Sequence, residues 1–396
     1  MQYPQELLTN YGPLGLVWFD RGMYTPEQGL EFVKMVHDLQ PSCLINSRVG
    51  NYNLESIGDY QSMSDNGVPP GGLQEYWETA MTLNNTWGFS KFDTNWKTPE
   101  TVIRRLLEIV SRGGNYLLNI GPTGLGEIPT ATIDIFSKVG PWIQRNAEGI
   151  YGTTASIFGE IPWGYCTAKG SSIYLFVREW PKDNVLNVSG LKNRTLSANF
   201  LIDKSKKLPF TQSENIISIT LPSNPPDNPI SVIELRVEGT PKIDPLIVLK
   251  DEKGILELNY LTSITQGKAK TRFNRKGGFH ISKWTGPEDN VGWRVRVDQP
   301  GVFKVTISYA ADKEWEGQQY EISENLSVIK SSVIYTGIPY SYLEFPVGYL
   351  QFEKPGDYTL TIKPVKSSNT NLMYLRYIKL IPVKNIKTEG WSINQG

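Results

Sequence analysis

Gly12-Pro13-Leu14-Gly15-Leu16-Val17-Trp18-Phe19-Asp20 is a continuous apolar run that ends in a carboxylate. The run does not alternate between apolar and polar residues, which is typical of a parallel strand that is buried on both faces. An acid at the carboxyl end of such a strand lies where the loops of a β/α protein build active sites. The pattern predicts a buried strand with Asp20 at a functional edge, and it also fits an ordinary loop that begins at Asp20.

The composition excludes several classes of partner. The 396 residues carry 40 Lys and Arg against 40 Asp and Glu, so no electrostatic footprint for nucleic acid or an anionic membrane exists. No apolar run is long enough to cross a bilayer, and no membrane insertion is expected. Two cysteines, Cys43 and Cys166, and two histidines, His37 and His280, predict neither a disulfide framework nor a metal centre.

Residues 1–148 alternate between strand and helix signals. Thr25-Pro26-Glu27-Gln28 has the residues of a capping box with proline at the first helical position, and Thr98-Pro99-Glu100 begins a second helix. The regular segments expected here are a strand over 12–19, a helix from 25 to 41, a strand over 42–46, a helix from 98 to 113, a strand over 115–120 and a helix over 129–145. This order favours parallel β/α units.

From about Ile150 the sequence changes to short alternating runs separated by turn signals. The strands expected are 171–177, 185–188, 216–221 and 230–235, then 293–297, 302–309, 342–347, 358–363 and 373–380. A linker near Glu238–Pro241 divides them into β-sandwich domains over 149–240 and 241–396. In the second sandwich we expect Trp293 to be a packing residue, while Trp284 and Trp315 fit either packing or a sugar platform.

The fold class predicted is α/β plus all-β, a partial (β/α)8-like barrel followed by two β-sandwich domains. A complete barrel of this kind takes about 250 residues, and residues 1–148 supply roughly half of that. We therefore expect the chain to be a fragment or a truncated product, representing the C-terminal half of the barrel. Residues 1–6 have neither a basic nor an apolar signal-peptide segment.

Several ordered motifs carry a resemblance to one family. Tyr11–Leu14 followed by Trp18-Phe19-Asp20 resembles the nucleophile strand of the retaining α-L-fucosidases of glycoside hydrolase family 29. Trp77-Glu78-Thr79 with Trp87-Gly88-Phe89 is similar to the W-E-T…W-G-Y element of that family. The runs 114–122 and 146–153 resemble the end of its catalytic domain and the entry to its C-terminal sandwich, so the resemblance extends over about residues 5–240.

The resemblance implies roles for individual residues. Asp20 matches the aspartate that attacks the anomeric carbon, and Asp65 stands in the loop where several members carry the general acid. Glu78 and Glu75 remain alternatives for that acid, with Glu78 otherwise a pocket-supporting residue. The resemblance also places Arg48 near the nucleophile, where it contacts a carboxylate or the sugar hydroxyls, although a surface ion pair is the simpler alternative.

The activity implied is the hydrolysis of terminal α-L-fucosides in fucosylated oligosaccharides or glycoconjugates by double displacement. Trp18 and Trp87 would line the fucose pocket, and no metal or cofactor is expected. The intact protein is expected to be periplasmic or secreted. Family members also use histidines from early barrel strands, including a double-histidine element, and this chain has no adjacent histidines. We therefore expect the 396-residue chain alone to lack activity, and the alternative function is that of a catalytically inactive, glycan-binding remnant.

Overall fold

The computed structural model of the chain forms two compact units, Met1–Asp244 and Pro245–Gly396. The residues that it describes are 2–20, 24–50, 57–73, 75–159, 161–213, 216–244, 246–274, 277–324 and 327–383.

The first part of unit 1 is a parallel β/α region. Its helices are α1 Gln2–Asn10, α2 Pro26–Leu39, α3 Pro99–Val110 and α4 Thr130–Asn146. Its strands are β1 Leu16–Val17, β2 Leu44–Ile45, β3 Gln61–Ser62, β4 Trp77–Thr82 and β5 Gly114–Asn119. Strand β1 pairs with β2, and β4 pairs with both β3 and β5, always in parallel. A parallel bridge between Asn46 and Tyr60 joins the two sets into one series.

The local signals in the sequence account for the helix boundaries. The Thr25 hydroxyl accepts a bond from the Gln28 amide N–H, and the Gln28 side chain accepts one from the Thr25 N–H, which completes the predicted capping box of α2. Thr98 caps α3 in the same way through the Thr101 N–H. Helices α2, α3 and α4 and strand β5 confirm the predicted segments.

The opening run is only partly the strand that its composition predicts. Gly12 has φ +78°, and only Leu16 and Val17 pair as a strand. Leu16 and its partner Leu44 are about half exposed, at 43% and 50%, so the expectation of burial on both faces is wrong. One face of the pair packs with Val36 of α2, and the described residues place no layer over the other.

The rest of unit 1 is antiparallel. Its strands are β6 Gly164–Lys169, β7 Ser172–Val177, β8 Val185–Ser189, β9 Thr195–Phe200, β10 Asp203–Lys207, β11 Phe210–Ser213, β12 Ile216–Thr220 and β13 Ser231–Val237. They form sheets in the orders β10-β9-β13-β7-β6 and β11-β12-β8, with Leu175 and Ile217 in the core between them. Tyr174 and Phe176 on the other face of β7 pack into the core of α3 and α4. The antiparallel sheet is therefore buried on both faces and supports the parallel region.

Unit 2 is a β-sandwich of two larger sheets. Its strands are β14 Ile247–Val248, β15 Leu256–Asn259, β16 Ile264–Thr265, β17 Lys270–Asn274, β18 Gly278–Ser282, β19 Val291–Val297, β20 Gly301–Ala310, β21 Gln319–Glu324, β22 Ser327–Ser332, β23 Leu343–Phe352, β24 Gly356–Pro364 and β25 Tyr374–Pro382. One sheet has the order β14-β19-β24-β21-β22 with β16 beside β19, and the other has β17-β18-β25-β20-β23 with β15 beside β25.

Trp284, Trp293 and Trp315 of unit 2 are core residues. Trp293 is fully buried and donates its indole N–H to the Asn259 carbonyl oxygen at 2.8 Å, which confirms its predicted packing role. Trp284 is equally buried and donates to the Met373 carbonyl oxygen at 2.7 Å. Trp315 is 4% exposed. None of the three indoles is therefore open to stack on a sugar.

Candidate active site

Asp20 is placed by a side-chain clamp at the carboxyl end of β1. The β1–β2 ladder ends at Val17 and Ile45. Beyond it, the side chain of the fully buried Asn46 forms the hydrogen bonds to the chain that follows β1. Its amide oxygen accepts from the Phe19 N–H and its amide nitrogen donates to the Phe19 carbonyl, both at 2.9 Å. These two bonds fix the backbone just before Asp20, whose side chain is 49% exposed.

Arg48 lies in a short 3₁₀ turn that follows β2, and it is almost completely buried. Its Nε donates to Ser62 Oγ at 3.0 Å, and its Nη2 donates to the Met63 carbonyl at 3.0 Å. Ser47 supports this arrangement, because its hydroxyl accepts from the Ser62 N–H at 2.9 Å. A buried guanidinium held by neutral acceptors on two sides has a fixed orientation, and its remaining N–H groups point to the open edge.

Two carboxylates meet at those N–H groups. Arg48 Nη1 donates to Asp20 Oδ1 at 2.9 Å, and Arg48 Nη2 donates to Asp65 Oδ1 at 3.3 Å. Asp20 follows β1 and Asp65 follows β3, so residues from the carboxyl ends of separate parallel strands converge on one guanidinium. Both acids are half exposed while the arginine is buried. The two carboxylates therefore face solvent, and both are held by one rigid, positively charged side chain.

Trp18 and Glu78 form the wall beside this pair. The Arg48 guanidinium lies 4.5 Å from the centre of the Trp18 ring, a cation–π contact. The Trp18 indole N–H donates to the carboxylate of Glu78, which is buried on β4. Glu78 is therefore engaged by an indole rather than by the arginine, as fits the pocket-supporting role that the sequence left open for it.

Tyr60 adds a buried hydroxyl behind the wall. Burial, followed by the nearby charge of Glu78, raises the pKa of Tyr60 above its ordinary value of 10. The phenol therefore stays protonated and neutral near pH 7 and can donate a hydrogen bond toward the Glu78 carboxylate.

Two of the sequence candidates lie apart from this cluster. Glu75 precedes β4 and accepts from Gln61 at 3.4 Å, which places it at the amino ends of the strands, opposite Asp20 and Asp65. Trp87 is 40% exposed on the loop after β4, and its carbonyl accepts from the Asn119 side chain at 2.7 Å. Within the described part of the chain, no ring or hydrogen-bond contact joins the Trp87 indole to Asp20, Arg48 or Asp65.

The positioning residues Asn46, Ser47 and Ser62 were not singled out from the sequence. Their signal was available in part, because Asn46 and Ser47 follow a predicted buried strand directly, where a polar side chain lies at the functional edge. Ser62 gave no such signal, since strand β3 is two residues long and has no apolar pattern.

The chemistry of the cluster is that of paired carboxyl groups. Among the residues described, no group of three or more His, Cys, Asp or Glu side chains could hold a metal ion. Cys43 and Cys166 are both buried and unpaired, and burial raises the pKa of the Cys166 thiol to about 12. Two acids from separate strand ends at the carboxyl edge of a β/α fold are the arrangement that glycoside hydrolases use to cleave a glycosidic bond.

Comparison with known proteins narrows this class. The family model "Alpha-L-fucosidase" matches residues 1–148, and "Alpha-L-fucosidase C-terminal domain" matches residues 161–233, together more than half of the chain. The α-L-fucosidase of Dictyostelium discoideum is 25% identical over 255 residues, which are 60% of this chain and 55% of that protein. The chain belongs to the α-L-fucosidase family, glycoside hydrolase family 29.

Solved structures agree with this assignment. An α-L-fucosidase from Vibrio sp. strain EJY3 is 26% identical with a TM-score of 0.56, over 95% of this chain and 68% of that one. A family 29 α-L-fucosidase from Bacteroides thetaiotaomicron, trapped as a covalent intermediate, is 26% identical with a TM-score of 0.55, over 60% of each chain. The chain spans about half the length of the curated relatives it matches. No helix in the described residues is long and apolar enough to cross a membrane.

Proposed function

We propose that the protein carrying this chain is a retaining α-L-fucosidase, with Asp20 as the nucleophile and Asp65 as the general acid and base. The observation that supports this most directly is the bridging of Asp20 and Asp65 by one buried guanidinium. Retaining glycosidases need two carboxyl groups about 5–5.5 Å apart on either side of the scissile bond. The contacts of Asp20 and Asp65 with Nη1 and Nη2 of one arginine bring both acids to the same point on the strand edge.

Asp20 attacks the anomeric carbon of fucose in the first step. The bond from that carbon to the leaving oxygen breaks, and Asp65 gives its proton to the leaving oxygen. In the second step Asp65 removes a proton from water, which releases fucose from Asp20 with its original configuration. The contact from Arg48 Nη1 at 2.9 Å orients the attacking carboxylate of Asp20, and the contact from Nη2 at 3.3 Å orients Asp65 beside it.

Trp18 and Glu78 support the sugar rather than the proton transfer in this proposal. The indole of Trp18 is held on one side by Arg48 and at its N–H by Glu78, so its ring is a fixed surface beside Asp20. A fixed aromatic ring can pack on the apolar face of a deoxy sugar. Trp87 lies on the same edge of the strands, and we propose that it contacts the substrate without contacting Asp20.

The substrates proposed are fucosylated oligosaccharides or glycoconjugates, and the location proposed for the intact protein is periplasmic or secreted. Family membership supports the substrate class. The location is tested by fractionation of cells that express the intact protein.

The test is hydrolysis of an aryl α-L-fucoside by the product of the longest reading frame that contains this chain, followed by proton NMR of the first sugar released. The proposal predicts α-L-fucose as the initial product, because two displacements retain the configuration. Initial release of β-L-fucose would show single displacement by water and contradict it. The 396-residue chain is assayed in parallel, and we expect little turnover from it.

A further inference from the structure

A β-bulge in unit 2 directs one arginine out of the sheet. Strands β20 and β25 pair with a shift of register between Ser308 and Tyr309, so that Ser308 lies opposite Tyr377 and Tyr309 lies opposite Leu375. Arg376 has no partner on β20. Leu375 and Ile378 both enter the core, and Arg376, which lies between them, is exposed. Bulges of this kind re-aim side chains and are frequent beside binding sites.

Arg376 differs from the other charged groups on this face of the sheet. Lys379 lies 3.6 Å from Glu257 and 4.0 Å from Glu344, and Glu344 also accepts from the Tyr377 hydroxyl at 2.7 Å. These groups neutralise one another. Arg376 forms no ion pair with any residue that the structure describes, and its guanidinium lies 4.1 Å from the centre of the Tyr342 ring. A stacked guanidinium is rigid and keeps its N–H edge free for a planar oxyanion.

The aromatic rings beside Arg376 are fixed in an unusual way. Tyr340 has φ +62°, a left-handed conformation that is rare for a bulky residue and often marks a functional site. Its ring stacks on Tyr374 at 4.9 Å. Gly277 allows this, because a Cβ there would lie 2.5 Å from the Tyr340 ring. Tyr340 and Tyr342 are partly buried against the core of unit 2, so the exposed parts of their rings are fixed beside the Arg376 guanidinium.

We propose that Arg376, Tyr342 and Tyr340 form a binding site for an anionic sugar, a pyranose that carries a carboxylate or sulfate group. Arg376 binds the oxyanion through its N–H edge, and the two tyrosines contact the sugar ring. Glu344, Tyr377 and Lys379 lie next to the site and supply acceptors and donors for hydroxyl groups.

A single anionic sugar fits this face better than an acidic peptide. Arg376 is a cation without an ion pair among the described residues, and the neighbouring carboxylates Glu257 and Glu344 would repel a ligand with several negative charges. A sugar brings one charge together with hydroxyl groups, which suit the mixed donors and acceptors around Arg376. The site lies wholly within unit 2 and needs no residue of the proposed active site.

The experiment is calorimetric titration of the full 396-residue chain with glucuronic acid, N-acetylneuraminic acid and N-acetylglucosamine 6-sulfate. The controls are the neutral counterparts of these three sugars. Inorganic sulfate and a polyglutamate peptide are titrated as two further controls. We expect at least one anionic sugar to bind and its neutral counterpart not to bind. Comparison of the two carboxylate sugars with the sulfated sugar shows which oxyanion the site binds.

Arg376→Ala should weaken the binding at least about tenfold, because a charge-assisted bidentate contact is lost, and Arg376→Lys should restore it only in part. Arg296→Ala is the matched control, since Arg296 is a comparably exposed arginine on the other sheet that pairs with Asp357 at 2.8 Å. Equal binding by Arg376→Ala would overturn the proposal. So would binding of inorganic sulfate or polyglutamate as tight as that of every sugar, or no binding of any sugar. These results do not bear on fucoside hydrolysis, so the two proposals fail separately.

Discussion

In the parallel region three of the five strands are two residues long, whereas β20 and β23 of unit 2 extend over ten residues each. The short strands leave Leu16 and Leu44 about half exposed, while unit 2 buries Trp284 and Trp293 completely. The parallel region holds its functional side chains through side-chain clamps, such as the Asn46 amide on Phe19. We therefore expect substitutions in the parallel region to change mainly the turnover, and substitutions in unit 2 to change mainly the stability.

Replacing the proposed nucleophile should give the largest effect. Asp20→Ala removes the group that forms the covalent bond, so turnover of an aryl α-L-fucoside by the intact protein should fall on the order of 10⁴-fold or more. The melting temperature should change little, because the Asp20 side chain is half exposed and Arg48 keeps its other partners. Azide should restore part of the turnover and give a β-fucosyl azide.

The matched control for Asp20 is Asp38→Ala, since Asp38 is an exposed acid of the same region that pairs only with Lys34 on α2. Its turnover should equal that of the unsubstituted protein. Turnover of Asp20→Ala at the level of this control would remove Asp20 from the mechanism.

Separating Asp65 from Glu78 sharpens the account of the site. Asp65→Asn should slow substrates with poor leaving groups by about 10²–10⁴-fold and activated aryl fucosides much less, since activated groups leave without a proton. Glu78→Gln should slow both kinds of substrate alike, because it disturbs the Trp18 ring rather than the proton. If kcat/KM values across a series of leaving groups show the steeper dependence for Glu78→Gln, the assignment of the acid is reversed.

A core substitution tests the other half of the comparison. Trp293→Ala should lower the free energy of unfolding of unit 2 by about 3–5 kcal/mol, the cost of emptying a large buried site. Denaturant melts measure this, with the exposed Trp87→Ala as the control that should cost far less. A small cost for Trp293→Ala would mean that the core of unit 2 repacks and is not the source of its stability.

The effect predicted to be smallest near neutral pH is a dependence of unit 2 stability on pH. Burial lowers the pKa of His280 from 6.5 to about 3, with the charges of Arg272 and Arg376 adding to the effect. Between these values the unfolded chain binds a proton that the folded chain does not, so stability falls as the pH is lowered from 6.5 toward 3. The protonation of His280 changes the free energy of unfolding by at most about 1.4 kcal/mol per pH unit.

The measurement for His280 is the difference in unfolding free energy between the unsubstituted chain and His280→Asn at several pH values. The difference should shrink as the pH falls, because only the unsubstituted chain loses stability through protonation of His280 in the unfolded state. A constant difference for His280→Asn over this range would mean that His280 is protonated in the folded state.

Local patterns were enough to predict much of the fold. Capping residues and proline positions placed α2 and α3, because these signals act within one turn of helix. Alternation placed most long strands of unit 2. Alternation did not predict β3, because a strand of two residues has no periodic pattern. It also did not predict the exposure of Leu16, which depends on the layers that cover the strand.

The site could be predicted only as far as residue types and order allow. Asp20, Arg48 and Asp65 were found as candidates, but nothing in the sequence shows that one guanidinium joins both acids. That contact depends on Asn46, Ser47 and Ser62, which are brought together by the bridge between Asn46 and Tyr60, fourteen residues apart in the chain. The burial of Trp284 and Trp315 likewise depended on the tertiary core rather than on local sequence.

Labelling with 2-fluoro-fucosyl fluoride tests directly whether Asp20 is the nucleophile. Fluoride leaves without a proton and the 2-fluoro group slows hydrolysis of the covalent intermediate, so the sugar should remain attached to the nucleophile. The intact protein is treated, digested and analysed by mass spectrometry. The account predicts one labelled peptide, with the sugar on Asp20, and none in Asp20→Ala. A label on another carboxylate, or an active enzyme that gives no label, would contradict it.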